Sequence, residues 1–93
     1  MVSFLDGGIM YDREAIKTKL LSIIREYNLV NAAEIDSLLD QDLINSGVID
    51  SMAMIRMQAL VEHDFGVTIP EELMVGHLRT INDFIDFIVK NQQ

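Results

Sequence analysis

The chain has no cysteine and no tryptophan, one proline and only two histidines. Each scarcity removes a class of function. Without cysteine there is no disulfide, no thiolate metal site and no sulfur nucleophile. His63 and His77 are too few to build a zinc site unaided, so no metal centre is expected. Basic residues are scarce too: seven against fifteen acids, a formal charge of −8 over 93 residues. A nucleic-acid binder needs a basic footprint, which this composition denies. The uninterrupted apolar runs are only a few residues long, far short of the roughly 20 that cross a bilayer, so no membrane insertion is expected. The opening residues MVSFLDGG lack the basic start and long apolar core of a secretory signal. These exclusions leave a single small cytoplasmic domain, acting as a monomer, as the expectation.

What is present is helical. Residues 1–11 read as a loose, flexible leader broken by Gly7-Gly8, residues 12–90 as the domain, and residues 91–93 as a tail. Asp12 is a good N-cap, and Ile16, Leu20, Ile23, Ile24 and Tyr27 recur at helical spacing, which predicts a first helix ending near Asn28. Residues 29–50 mix acids with Leu29, Val30, Ile35, Leu38, Leu39, Leu43, Ile44, Val48 and Ile49. That is too apolar for a solvated linker. It predicts a long ordered loop draped over the helices, with one helical turn around residues 33–40. A loop this long in a compact domain usually has a job.

A second helix is predicted from Ser51 to Phe65, stopped by Gly66. Met54, Met57, Val61 and Phe65 form one stripe on it, and Met52, Ile55 and Ala59 a second, adjacent one. Methionines at this spacing are more often core filler than a partner surface. Pro70 suits the first turn of a short third helix, Glu71 to about Gly76. Thr80-Ile81-Asn82-Asp83 resembles a capping box opening a fourth helix that carries Ile81, Phe84, Ile85, Ile88 and Val89 to Lys90. No segment alternates convincingly as a strand. The predicted fold is all-α: a four-helix bundle with a long ordered loop between helices one and two and a short helix three.

The tripeptide Ile-Asp-Ser occurs twice, at Ile35-Asp36-Ser37 and Ile49-Asp50-Ser51, both inside a stretch with no Lys or Arg between Arg25 and Arg56. Several chemistries are possible in principle. A Ser-His-Asp hydrolase using Ser51, Asp50 and a histidine lacks the Gly-x-Ser-x-Gly elbow. A calcium loop needs alternating acids, and Asp36, Asp40 and Asp42 are wrongly spaced. A phosphate cradle needs clustered glycines, and Gly47 stands alone. The remaining chemistry is covalent modification of a serine at a helix start. There the first-turn N–H groups and the positive dipole end favour an attached phosphate. A preceding aspartate could help place the magnesium that phosphoryl transfer needs. A bare Asp-Ser pair is far more often an ordinary helix cap. The surroundings separate the two copies: only Asp50-Ser51 has a glycine turn before it and a whole helix after it, while Ile35-Asp36-Ser37-Leu38 reads as a capped turn within the loop.

The stretch SGVIDSM (46–52), running without a gap to FGVTIP (65–70), resembles the acyl and peptidyl carrier proteins, as does LRTINDFIDFI (78–88). The resemblance covers about residues 12–90. It implies a four-helix carrier fold with 4′-phosphopantetheine, transferred from coenzyme A by a phosphopantetheinyl transferase, attached to Ser51, and with Asp50 supporting that modification. It implies a thioester-bound acyl cargo in lipid or fatty acid metabolism, no catalysis by the carrier itself, and docking of acyl-activating or condensing enzymes near helix two. The bundle interior is expected to shelter part of a chain.

Two departures sharpen this. Gly47 lies four residues before Ser51, where typical fatty-acid carriers have it three before. That form looks more like D-alanyl, peptidyl and specialised stand-alone acyl carriers. The start of helix two, Met52-Ala53-Met54-Ile55-Arg56, has no acid before Glu62, and Arg56 stands where the family usually has one. The expected docking patch is therefore Met52, Ile55, Arg56, Ala59 and Glu62, more apolar than usual with a positive charge at its centre. A specialised acyl carrier is the first reading. A D-alanyl or aminoacyl (peptidyl) carrier is the second, and an unmodified helical interaction module on the same fold is the third.

Overall fold

A computed structural model describes residues 2–3, 10–29, 39–47 and 49–92, with side chains described from residue 11 onward. Four helices make the bundle: α1 (Arg13–Glu26), α2 (Ser51–Phe65), α3 (Glu71–Gly76) and α4 (Ile81–Asn91).

Each helix starts and stops where local chemistry directs it. Asp12 sits in extended backbone and accepts the Ala15 N–H at 2.8 Å, starting α1. The helix ends with Asn28 at φ 52°, a left-handed position that asparagine tolerates. The Asn28 N–H then reaches the Arg25 carbonyl, and the Leu29 N–H reaches the Ile24 carbonyl at 3.0 Å. This is a Schellman closure, and it tucks Leu29 into the core. Gly66, at φ 68°, ends α2, and the Gly66 N–H reaches the Glu62 carbonyl. The Thr80–Asp83 capping box is complete in both directions. The Asp83 carboxylate also accepts the Arg79 N–H at 2.9 Å.

The core is one cluster. α1 contributes Ile16, Leu20, Leu21, Ile23 and Ile24; α2 contributes Met54, Met57, Val61 and Phe65; α4 contributes Ile81, Phe84, Ile85 and Ile88. Leu21 joins a stripe in which the sequence pattern did not place it. Tyr27 and Val89, expected within the stripes, are about 40% exposed: Tyr27 is the C-cap, beyond the last helical residue of α1, and Val89 lies at the edge of the apolar arc of α4. α3 contributes no fully buried side chain.

The described part of the long loop, Leu39–Gly47 and Ile49, is ordered against the bundle as expected. Leu43 and Ile49 are buried. Backbone bonds run from Leu43 N–H to the Arg79 carbonyl at 2.8 Å and from Asn82 N–H to the Leu39 carbonyl at 3.1 Å. The expected turn around residues 33–40 and the copy Ile35-Asp36-Ser37-Leu38 lie almost wholly outside the described residues.

Two short strands lie among the described residues of 1–11. β1 (Val2–Ser3) pairs antiparallel with β2 (Met10–Tyr11), Val2 opposite Tyr11. Tyr11 packs edge-on against Phe65, the ring centroids 6.1 Å apart, with Lys19 Nζ about 5 Å from both rings. Gln92, in the expected tail, accepts the Tyr11 N–H and donates to the Tyr11 carbonyl. Arg13 pairs with Asp86 beside it. Two-residue strands carry no alternation for a sequence to reveal.

Candidate functional site

The approach to α2 is a tight turn. The Asp42 carboxylate accepts the Asn45 N–H at 2.9 Å, the Asp42 carbonyl accepts Ser46 N–H, and the Ile44 carbonyl accepts Gly47 N–H. Gly47 has φ 78°, and an added Cβ there would meet nothing within 4 Å. Its backbone conformation, not lack of space, favours glycine. The turn closes as Ile49, buried, donates its N–H to the Leu43 carbonyl at 3.0 Å.

Asp50 comes next, in extended backbone, and caps α2, accepting the Ala53 N–H at 2.8 Å through one carboxylate oxygen. Its carbonyl accepts Met54 N–H. Ser51 is therefore the first helical residue. It is exposed, and its hydroxyl has no hydrogen-bond partner among the described residues. The N–H groups of Ser51 and Met52 likewise have no protein acceptor there. A free hydroxyl, two open amides and the positive end of a helix dipole meet at one point. That set of donors fits a phosphodiester on the Ser51 oxygen.

Beside Ser51 opens a cleft of about 360 Å³. Ile44 of the loop, Met54, Ile55 and Gln58 of α2, Met74 and Val75 of α3, and Leu78 and Arg79 beyond it form its walls, with Glu71 at the rim. The lining is mostly apolar, the kind of surface that accepts a hydrocarbon chain.

Polar clips hold the cleft's frame. Ile69, in the link before α3, donates its N–H to Glu62 at 2.7 Å, and its carbonyl accepts from Gln58 at 3.2 Å. At the far end Arg79 Nε donates to Asp42 at 2.9 Å, and Arg79 also reaches the Val75 carbonyl. The Asn45 N–H, together with Arg79, holds the Asp42 carboxyl below the usual carboxylate range.

The structure thus brings Ser51 and Asp50 together at one helix start. Met52, Ile55, Arg56 and Ala59 are exposed on α2, with Met52 70% and Ile55 61% accessible. Glu62 is placed differently: it is half-buried, and its carboxylate is taken up by the α3 link. Met54 and Met57 are core, as the spacing suggested, while Met52 is not. His63 pairs with Asp64 on the same helix, and neither it nor His77 bonds to Ser51. No cluster of three or more metal-ligating side chains occurs among the described residues. Among these residues, no helix is long and apolar enough to cross a membrane. The sequence pattern did not reveal the cleft walls. Ile44 and Val75, apolar residues off the buried stripes, were the available signal.

Residues 18–88 match the protein-family model described as "Phosphopantetheine attachment site". The chain is 29% identical over 80 residues to an acyl carrier protein of Rhodococcus erythropolis, covering 86% of this chain and 85% of that one. It is 33% identical over 76 residues to a D-alanyl carrier protein of Streptococcus suis, covering 81% and 92%. It is 30% identical over 81 residues to a meromycolate extension acyl carrier protein of Mycolicibacterium smegmatis, covering 87% and 79%. The cofactor of such carriers is 4′-phosphopantetheine, and this chain belongs to their family, the phosphopantetheine-binding carrier proteins.

Proposed function

We propose that this carrier is modified on Ser51 and holds acyl groups there as thioesters of a phosphopantetheine arm, in a specialised lipid or metabolite pathway. The carrier works as a cytoplasmic monomer. Ser51 supplies the oxygen for the phosphodiester. Asp50 fixes the helix start through one carboxylate oxygen, and the other makes no protein bond among the described residues, so it is available to the magnesium of an incoming transferase. The bound arm supplies a thiol, which the cysteine-free chain lacks. Acyl-activating and condensing enzymes do the chemistry on the cargo.

The observation that carries the acyl reading is the apolar cleft beside Ser51. A D-alanyl carrier is the second reading. It is favoured by the 33% identity to the Streptococcus suis protein and by Gly47 standing four residues before Ser51. A short, cationic alanyl group gains little from walls of Met54, Met74, Val75 and Leu78. Loading the chain from acetyl- and octanoyl-coenzyme A separates the two. With octanoyl, the amide signals of Met54, Met74 and Leu78 shift and thioester hydrolysis slows relative to acetyl. Identical spectra and hydrolysis for both cargoes would favour the alanyl reading.

A further inference from the structure

We propose that α2 docks partner enzymes through an apolar face centred on Arg56, and that the surface it fits is an apolar hollow holding a carboxylate, not a basic one. The proposal rests on the carrier reading. It specifies which partners visit.

At about 100° per residue, Met52, Arg56, Ala59 and His63 run down the side of α2 directly opposite its buried stripe, with Ile55 between them and the cleft mouth. All five are exposed. Ile44 and Val75, 39% and 75% accessible, extend the apolar collar across the cleft onto the loop and α3. Arg56 makes no hydrogen bond or ion pair with any described residue. Neither acid of α2 pairs with Arg56. Glu62 accepts the Ile69 N–H, and Asp64 bonds His63 while its carbonyl accepts from Lys19. So a chain of net charge −8 turns its α2 guanidinium outward, beside exposed apolar side chains, with no acid among the described residues paired to it.

Charge complementarity then selects the occupant. A carboxylate meets a guanidinium in a two-pronged, geometrically specific pair, and an apolar collar strengthens it by excluding water. A lysine or arginine placed there would bury like charges together, which rejects the partner. A second copy of this chain fits poorly. A two-fold contact through this face would bring the two Arg56 side chains near each other with no acid free to pair them. Two exposed acids flank this face: Asp50, the N-cap of α2, and Glu71, which lines the cleft.

The test uses a phosphopantetheinyl transferase whose carrier-facing surface is basic, and a variant with those basic residues replaced by glutamate. Loading of the full chain is followed as kcat/KM at low salt. Arg56→Glu is expected to raise it roughly tenfold on the basic transferase and to lower it by a similar factor on the reversed one, both effects shrinking as salt is added. Ile55→Ser lowers it on both, since the collar serves either charge. Equal rates for wild type and Arg56→Glu on both transferases would overturn the proposal while leaving Ser51 loading intact. So would a wild-type chain that sediments as a dimer while Arg56→Glu sediments as a monomer, because the face would then belong to a second copy. Failure of every variant to gain mass would remove the carrier reading and the docking proposal with it.

Discussion

Helices α1 and α2 begin in nearly the same way. Asp12 and Asp50 sit in extended backbone at φ −77° and −93° with the same ψ of 172°, and each accepts a backbone N–H three residues on at 2.8 Å. Both starts present a positive dipole end. The residue after the aspartate sets them apart. Arg13 pairs its guanidinium with Asp86 of α4, beside a shallow groove lined by Asp12, Glu14, Ala15, Thr18, Lys19 and Ser22. Ser51 keeps its hydroxyl free among the described residues, beside a cleft lined mostly by methionine, isoleucine, valine and leucine, with Gln58, Glu71 and Arg79. A capped helix start is common protein architecture. It becomes an attachment site when a free nucleophile stands first in the helix and there is room beside it for the attached group.

The contrast can be broken by moving its parts. Ser51→Ala is expected to abolish loading completely, and adding Arg13→Ser to that variant should not restore it, although it recreates an Asp-Ser helix start on α1. Intact mass after incubation with transferase reads both. A second contrast lies across α2 itself. Met57→Ala, in the core, should cost about 2–5 kcal/mol, whereas Met52→Ala, on the exposed face, should fall within about 0.5 kcal/mol of wild type. Urea midpoints at constant slope test this.

Smaller effects separate cap from site. Asp12→Ala and Asp50→Ala should each lower stability by about 1 kcal/mol through loss of the helix cap. Only Asp50→Ala should also slow loading by the transferase. The smallest effect concerns Asp42, whose carboxyl is held low in the folded state, first by the Asn45 N–H and then by Arg79. Its contribution to stability is fully present above its unfolded value, near pH 4, and is lost as pH falls through the lower folded value. In Asp42→Asn that part of the acid destabilisation should disappear. A melting curve whose slope below roughly pH 4 matches wild type would contradict this assignment.

Much of the fold was legible because its punctuation is local. Asp12, Asp50, Gly66, Pro70 and the Thr80–Asp83 box set helix ends by bonds spanning three or four residues, and α2 and α3 begin and end where those residues place them. The glycine turn and Asp50-Ser51 were legible for the same reason. The cleft was not, because its walls come from three segments and only the folded chain brings Ile44, Ile55 and Val75 to one opening. The Asp42–Arg79 pair joins residues 37 apart in sequence, with no pattern to announce it. The resemblance placed Glu62 in the docking patch. Its carboxylate instead answers the Ile69 N–H, a partner created when the chain turns into α3.

The most direct measurement is the intact mass of wild type and Ser51→Ala after incubation with coenzyme A, magnesium and a broad-specificity phosphopantetheinyl transferase. Wild type should gain one phosphopantetheinyl group, located on the peptide containing Ser51, and Ser51→Ala should gain none. An unchanged wild-type mass while a control carrier loads would contradict the assignment and leave an unmodified helical interaction module. An adduct that survives Ser51→Ala would contradict the choice of serine.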